Sequence, residues 1–152
     1  MIMSHRRRLA LAALLPLLGQ APAMTTNQAV WQADVRIQAL DLTPLKGLVT
    51  VRIVVGSDGA DGAHATSLLL FLPLGTKAAR LPPGCQPSPS PTAAAQARID
   101  CVLGELRARD LREVTIVATA PVAGQVARFA AFAYSDTPDP QMINNFAERV
   151  LP

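Results

Sequence analysis

Leu48-Val49-Thr50-Val51-Arg52-Ile53-Val54-Val55 decides the fold class. Val49, Val51, Ile53 and Val55 fall on one side of an extended chain, and Thr50 and Arg52 fall on the other. Period-two alternation rich in β-branched residues is the pattern of a strand with one face in a core. Working outward, Ala33 to Leu40 alternates in the same way, with Val35, Ile37 and Ala39 set against Asp34, Arg36 and Gln38. Asp41 to Gly47, with Thr43-Pro44, reads as the connection between the two. Downstream, Gly56 to Gly62 is a flexible loop, and Thr66 to Leu72 is a short apolar run stopped by Pro73.

The rest of the chain continues the pattern. Lys77 to Leu81 is expected as a short edge strand, and Pro82 to Gln96 as a Pro-, Ser- and Ala-rich surface loop. Ala97 to Leu106 reads as a strand carrying Cys101. Arg112 to Ala120 follows, with Val114, Ile116 and Ala118 inward, then Val126 to Tyr134, with Phe129, Ala131 and Ala133 inward. Asp136 to Asn145 is a Pro/Asp/Asn loop, and Phe146 to Leu151 supplies a last strand. About seven short strands with turn signals between them, and no helical period, predict an Ig-like antiparallel β-sandwich. Trp31, just before the first strand, is expected to cap one end of it. Thirteen prolines argue independently against long helices.

The N-terminus sets the compartment. Arg6, Arg7 and Arg8 precede the apolar run Leu9 to Leu18, and Ala21-Pro22-Ala23 provides a small-x-small cleavage pattern. The run is about half of the roughly 20 residues that span a bilayer. Residues 1–23 are therefore expected to form a signal-peptide helix, and 24–152 a single domain with no stable membrane anchor after cleavage. Periplasmic or extracellular localisation follows. The net charge of +3 is that of the three leader arginines, whose removal leaves 11 Lys+Arg against 11 Asp+Glu. The charge balance thus gives no reason to expect nucleic acid as a partner. The two cysteines, Cys85 and Cys101, read as one disulfide in an oxidising compartment.

Side chains for chemistry are few. His64 is the one histidine beyond the leader and is expected in a glycine-rich loop, a poor mount for a general base. A Gly-x-Ser-x-Gly elbow is missing, and so is a zinc-ligand spacing. The chain is read as no enzyme and as needing no cofactor. Calcium, through oxygens of Asp136, Asp139 and Asn144, is the weak metal alternative.

Three motifs in order carry a family resemblance: Leu72-Pro73-Leu74-Gly75, Cys101-Val102-Leu103-Gly104-Glu105-Leu106, and Asp139 with Asn144-Asn145. Together they resemble the conserved-repeat domain of bacterial surface proteins, the domain of unknown function numbered eleven, over roughly Asp34 to Val150. The family's usual Gly in the turn after its Cys-bearing strand is replaced here by Arg109, and its Asn-x-Gly by Ser57-Asp58-Gly59. The resemblance implies Cys85 as the partner of Cys101 and a spacer or adhesive role in the envelope. Asp139, Asn144 and Asn145 are read as a structural turn that satisfies local backbone amides. The expected function is an exported, non-catalytic structural or binding module of the cell envelope that contacts a protein or a surface glycan. The alternatives are a small exported enzyme or metal-binding protein, and a chaperone-like subunit presenting a sheet edge.

Overall fold

The computed structural model describes residues 31–89 and 96–151. The expected signal peptide and the middle of the Pro-rich loop lie outside them. Nine strands follow in order: β1 (Val35–Leu45), β2 (Leu48–Ser57), β3 (Ala63–Phe71), β4 (Ala78–Arg80), β5 (Cys85–Pro87), β6 (Arg98–Leu106), β7 (Leu111–Thr119), β8 (Ala127–Tyr134) and β9 (Phe146–Leu151). Seven of them have six residues or more, and β4 and β5 have three each. They form two antiparallel sheets, ordered β1-β2-β7-β4 and β5-β6-β3-β8-β9. This is an Ig-like sandwich, with the order of a variable-type domain. The chain order differs: the short D-like strand β4 comes before the two strands that widen the second sheet, and of those two the outer one, β5, precedes the inner one, β6.

Alternation builds the core. Val49, Val51, Ile53 and Val55 of β2 are fully buried, and so are Ile116 and Ala118 of β7, Leu68 and Leu70 of β3, and Phe129, Ala131 and Ala133 of β8. Phe129 is the largest of these side chains, and the rest of the core is Val, Leu, Ile and Ala. Cys101 on β6 lies directly across from Cys85 on β5, and the two form a disulfide with their Cα atoms 4.0 Å apart. The bond ties a three-residue edge strand to the sheet.

Four expectations about the strands need correction. The stretch Asp41 to Leu45 is strand, not connection, because it pairs with Leu48 to Arg52 and leaves only Lys46-Gly47 as the turn. Pro44 is accommodated because β1 is an edge strand, where a missing N–H costs no ladder bond. Ala39 does not continue the inward row of Val35 and Ile37. A bulge between Ile37 and Ala39 inserts Gln38, after which Leu40 is the buried residue. Gly56 and Ser57 belong to β2 rather than to the loop, Gly56 pairing with Leu111 and Ser57 with Val35, and the Ser57 N–H donates to the Asp110 carbonyl just before β7. His64 lies in β3 rather than in the loop. Its N–H donates to Thr137 Oγ1 at 3.0 Å and its carbonyl accepts from Asp136 N at 2.9 Å, while its side chain faces solvent.

Trp31 caps nothing, being 64% exposed. The chain is pinned two residues later, where Ala33 N donates to the Pro138 carbonyl and Ala33 itself is buried. That anchor leaves the indole outside the core.

Candidate functional site

The two outer faces of the sandwich differ in chemistry. On the four-stranded sheet, Arg52 of β2 bridges Asp41 of β1 at 2.9 Å and Glu113 of β7 at 2.8 Å, with Thr43, Thr50 and Thr115 around them. The hydrogen bonds that Arg52 donates to Glu113 and then to Asp41 raise the pKa of its guanidinium above the ordinary range. A lattice of threonines and ion pairs is the ordinary solvated face of an antiparallel sheet.

The five-stranded sheet presents something else. Its outward positions are Arg98, Asp100 and Val102 on β6, Ser67, Leu69 and Phe71 on β3, Arg128, Ala130, Phe132 and Tyr134 on β8, and Phe146, Glu148 and Val150 on β9. Register assembles them into rows. Asp100, Leu69, Phe132 and Phe146 lie side by side across four strands; Val102, Ser67 and Tyr134 form the next row, and Arg98, Phe71, Ala130 and Glu148 the one on the other side. Directly opposed residues of an antiparallel pair have Cβ atoms about 4.5–5.5 Å apart, so each row is one contiguous surface.

Four of the chain's six aromatic residues therefore stand on this face. Phe132 and Tyr134 stack with centroids 6.1 Å apart and planes 21° from parallel. Phe146 is 50% exposed, Tyr134 40% and Val102 72%. A shallow cleft of about 260 Å³ runs beside the Tyr134 ring, lined by Ser67, Leu69, Arg98, Asp100 and Val102.

The charges on this face are internally paired. Arg98 donates to both oxygens of Asp100, at 2.7 and 3.0 Å, and also to Ser88 Oγ at 2.7 Å. The hydrogen bond to Asp100 raises the Arg98 guanidinium above its ordinary range, burial opposes this, and the charge of Asp100 adds to the rise. Arg128 pairs with Glu148 on the neighbouring strand. Such surface pairs contribute little stability. Their effect here is to fix two guanidinium planes against the sheet and to cancel their charge.

The expected turn residues lie at one end of the sandwich, where Asn145 directly precedes Phe146 of the aromatic row. Asp139 accepts from Val35 N at 2.9 Å through Oδ2 and from Gln141 N at 2.8 Å through Oδ1. Asn144 donates through Nδ2 to Asp34 Oδ1 at 2.7 Å. Asn145 is buried, and its Oδ1 has no hydrogen-bond partner among the described residues. Asp136 stands apart from this set, beside His64 through its backbone N–H. Among the described residues no three His, Cys, Asp or Glu side chains group as metal ligands would.

Sequence reasoning missed the aromatic face. Once Phe129, Ala131 and Ala133 are placed inward, Phe132 and Tyr134 must point out, so half of the signal was present. The row Leu69–Phe132–Phe146 needs strands far apart in the chain to be adjacent, and alternation within one strand does not show that.

No family model matches the chain, and no curated protein matches it. Solved structures with partial likeness include the chitin-binding domain of Chi18aC from Streptomyces coelicolor. It is 13% identical, covers 64% of this chain and 90% of its own, and has a TM-score of 0.43. Another is AvmM, which catalyses macrocyclization in alchivemycin A biosynthesis. It is 12% identical, covers 76% of this chain and 86% of its own, and has a TM-score of 0.40. Neither likeness assigns this chain a ligand or an activity.

Proposed function

We propose that the chain is an exported, non-catalytic binding module of the bacterial cell envelope whose contact surface is the outer face of the five-stranded sheet. One observation carries the reading. Four of the six aromatic residues stand on one solvent-facing sheet surface, whereas the opposite surface carries ion pairs, threonines and the exposed aliphatic side chains Leu45, Leu48 and Leu111. Water-exposed aromatic area in a contiguous patch marks an interaction site more often than it serves stability. The disulfide suits an oxidising compartment. A role as envelope module also agrees with the repeat-domain resemblance of the sequence.

Retention on a washed cell-envelope fraction tests this. The native protein is expected to co-sediment with envelope, and Phe132→Ala together with Phe146→Ala to lose retention while melting as a folded domain. Equal retention of the native and doubly substituted proteins would overturn the assignment of this face.

A further inference from the structure

We infer that the aromatic face takes an uncharged polysaccharide, a chain of neutral pyranose rings laid across Phe132 and Tyr134. The inference rests on the binding-face reading above and names its ligand class. Three features of the face select that chemistry.

The first is the pair of rings. Phe132 and Tyr134 lie nearly parallel, and Leu69 and Phe146 stand on either side of Phe132 in its row. An aromatic face carries partial negative charge and attracts C–H groups that bear partial positive charge. A pyranose presents several such C–H groups on one side of its ring, and successive sugars repeat them along the chain. Two aromatic rings 6.1 Å apart, edged by Leu69 and Phe146, offer a repeating ligand more apolar contact than one anchoring group would.

The second is the charge. Arg98 is bound bidentately by Asp100, and Arg128 is paired with Glu148. A nucleic acid or an anionic glycan would need cations free to replace its counterions. On this face both guanidinium groups are already neutralised by their own strands or the next one. An uncharged ligand loses nothing to this arrangement.

The third is the rim. The cleft of about 260 Å³ beside Tyr134 is bordered by the polar groups of Ser67, Asp100 and Arg98. The Tyr134 hydroxyl, the Ser67 hydroxyl and the spare lone pairs of Asp100 are short-range donors and acceptors around an apolar floor. Sugars have the same division, with apolar faces and hydroxyls at the edge.

Nuclear magnetic resonance titration of the oxidised protein with cellohexaose, the hexamer of N-acetylglucosamine and an oligogalacturonate supplies the test. At least one neutral hexamer is expected to give saturable shifts confined to Leu69, Val102, Phe132, Tyr134 and Phe146, undiminished by added salt. Phe132→Ala and Tyr134→Ala should each weaken that binding at least tenfold, and Phe132→Tyr should restore it. The oligogalacturonate should bind at least tenfold more weakly. Absence of saturable shifts with either neutral sugar, or tighter binding of the anionic one, would overturn the inference. If envelope retention still depends on Phe132 in that case, the face binds a protein and the broader reading survives. If retention is independent of Phe132, both readings fall.

Discussion

Arg109 occupies a backbone conformation that its side chain disfavours. Its φ is +70° in the turn that carries the chain from β6 in one sheet to β7 in the other. Around it, Arg107 N donates to Asp110 Oδ2 at 3.0 Å, and Asp110 N donates to the Arg107 carbonyl. These bonds hold the turn in shape, so the left-handed residue cannot relax away. A left-handed L-residue costs about 1–2 kcal/mol, while glycine pays back part of that gain in unfolded-state entropy. Arg109→Gly is therefore expected to stabilise the domain by about 0.5–1 kcal/mol in urea denaturation; a lower midpoint would contradict this account. The repeat-domain resemblance has Gly at the same place, for which the backbone now gives a physical reason. Asp139 is the second residue whose contribution can be read locally. Its two oxygens satisfy the amides of Val35 and Gln141, one of them at the start of the first strand. Asp139→Ala leaves both donors short of a partner and is expected to cost about 1–3 kcal/mol. Asn145, whose Oδ1 has no partner, should cost less when truncated. Since the Asp139 carboxylate is engaged by two N–H groups, melting is expected to be the same with added calcium as with chelator. A calcium-dependent rise that Asp139→Asn removes would turn this corner into a ligand site.

Among the elements, β5 depends most on covalent help. It has three residues, ends in Pro87, and pairs only with β6 on one side. Three ladder positions at a sheet edge give a strand few bonds of its own, and of the two strands this short only β5 carries a covalent tie. The disulfide closes a separation of 16 residues, for which chain-entropy arguments give about 3 kcal/mol. Cys85→Ser with Cys101→Ser should lower stability by that amount, which corresponds to a melting decrease of about 10 °C in scanning calorimetry. Unchanged melting would mean that β5 adds nothing to the fold. The same comparison shows what the sequence could reveal. Strands with an uninterrupted alternation, β2, β7 and β8, are legible from their residues alone, including which side chains face inward. The first strand was misread past Ile37, because one inserted residue reverses every later face and leaves no mark in composition. Gln38 is an ordinary residue in an ordinary place; its role exists only once β2 is beside it. The site was less legible than the fold for a related reason. Phe71 and Phe146 each stand alone in a strand and only Phe132 and Tyr134 share one, so it takes the pairing of β3, β8 and β9 to make a surface of them.

On the scale of the whole molecule, export is the expectation that frames the rest. The Arg6–Arg8 leader, its apolar run and Ala21-Pro22-Ala23 predict a mature protein that begins at Met24. Intact-mass measurement of the periplasmic or secreted form checks this, and a protein retaining Arg6 in the inner-membrane fraction would contradict it. A sandwich that displays an apolar surface is exposed to its own copies. The bulge at Gln38 has a consequence there. An open strand border is a template on which another chain can zip. The longest border of this molecule is β1, with 11 residues, and its ladder is broken after Ile37 and crossed by Pro44. The borders formed by β4 and β5 are three residues long, and β9 carries Glu148 and Arg149 in the middle of its six. The inserted residue that spoils the alternation of the first strand thus also denies neighbouring molecules a straight seam, so that copies can stand beside one another without fusing into fibres.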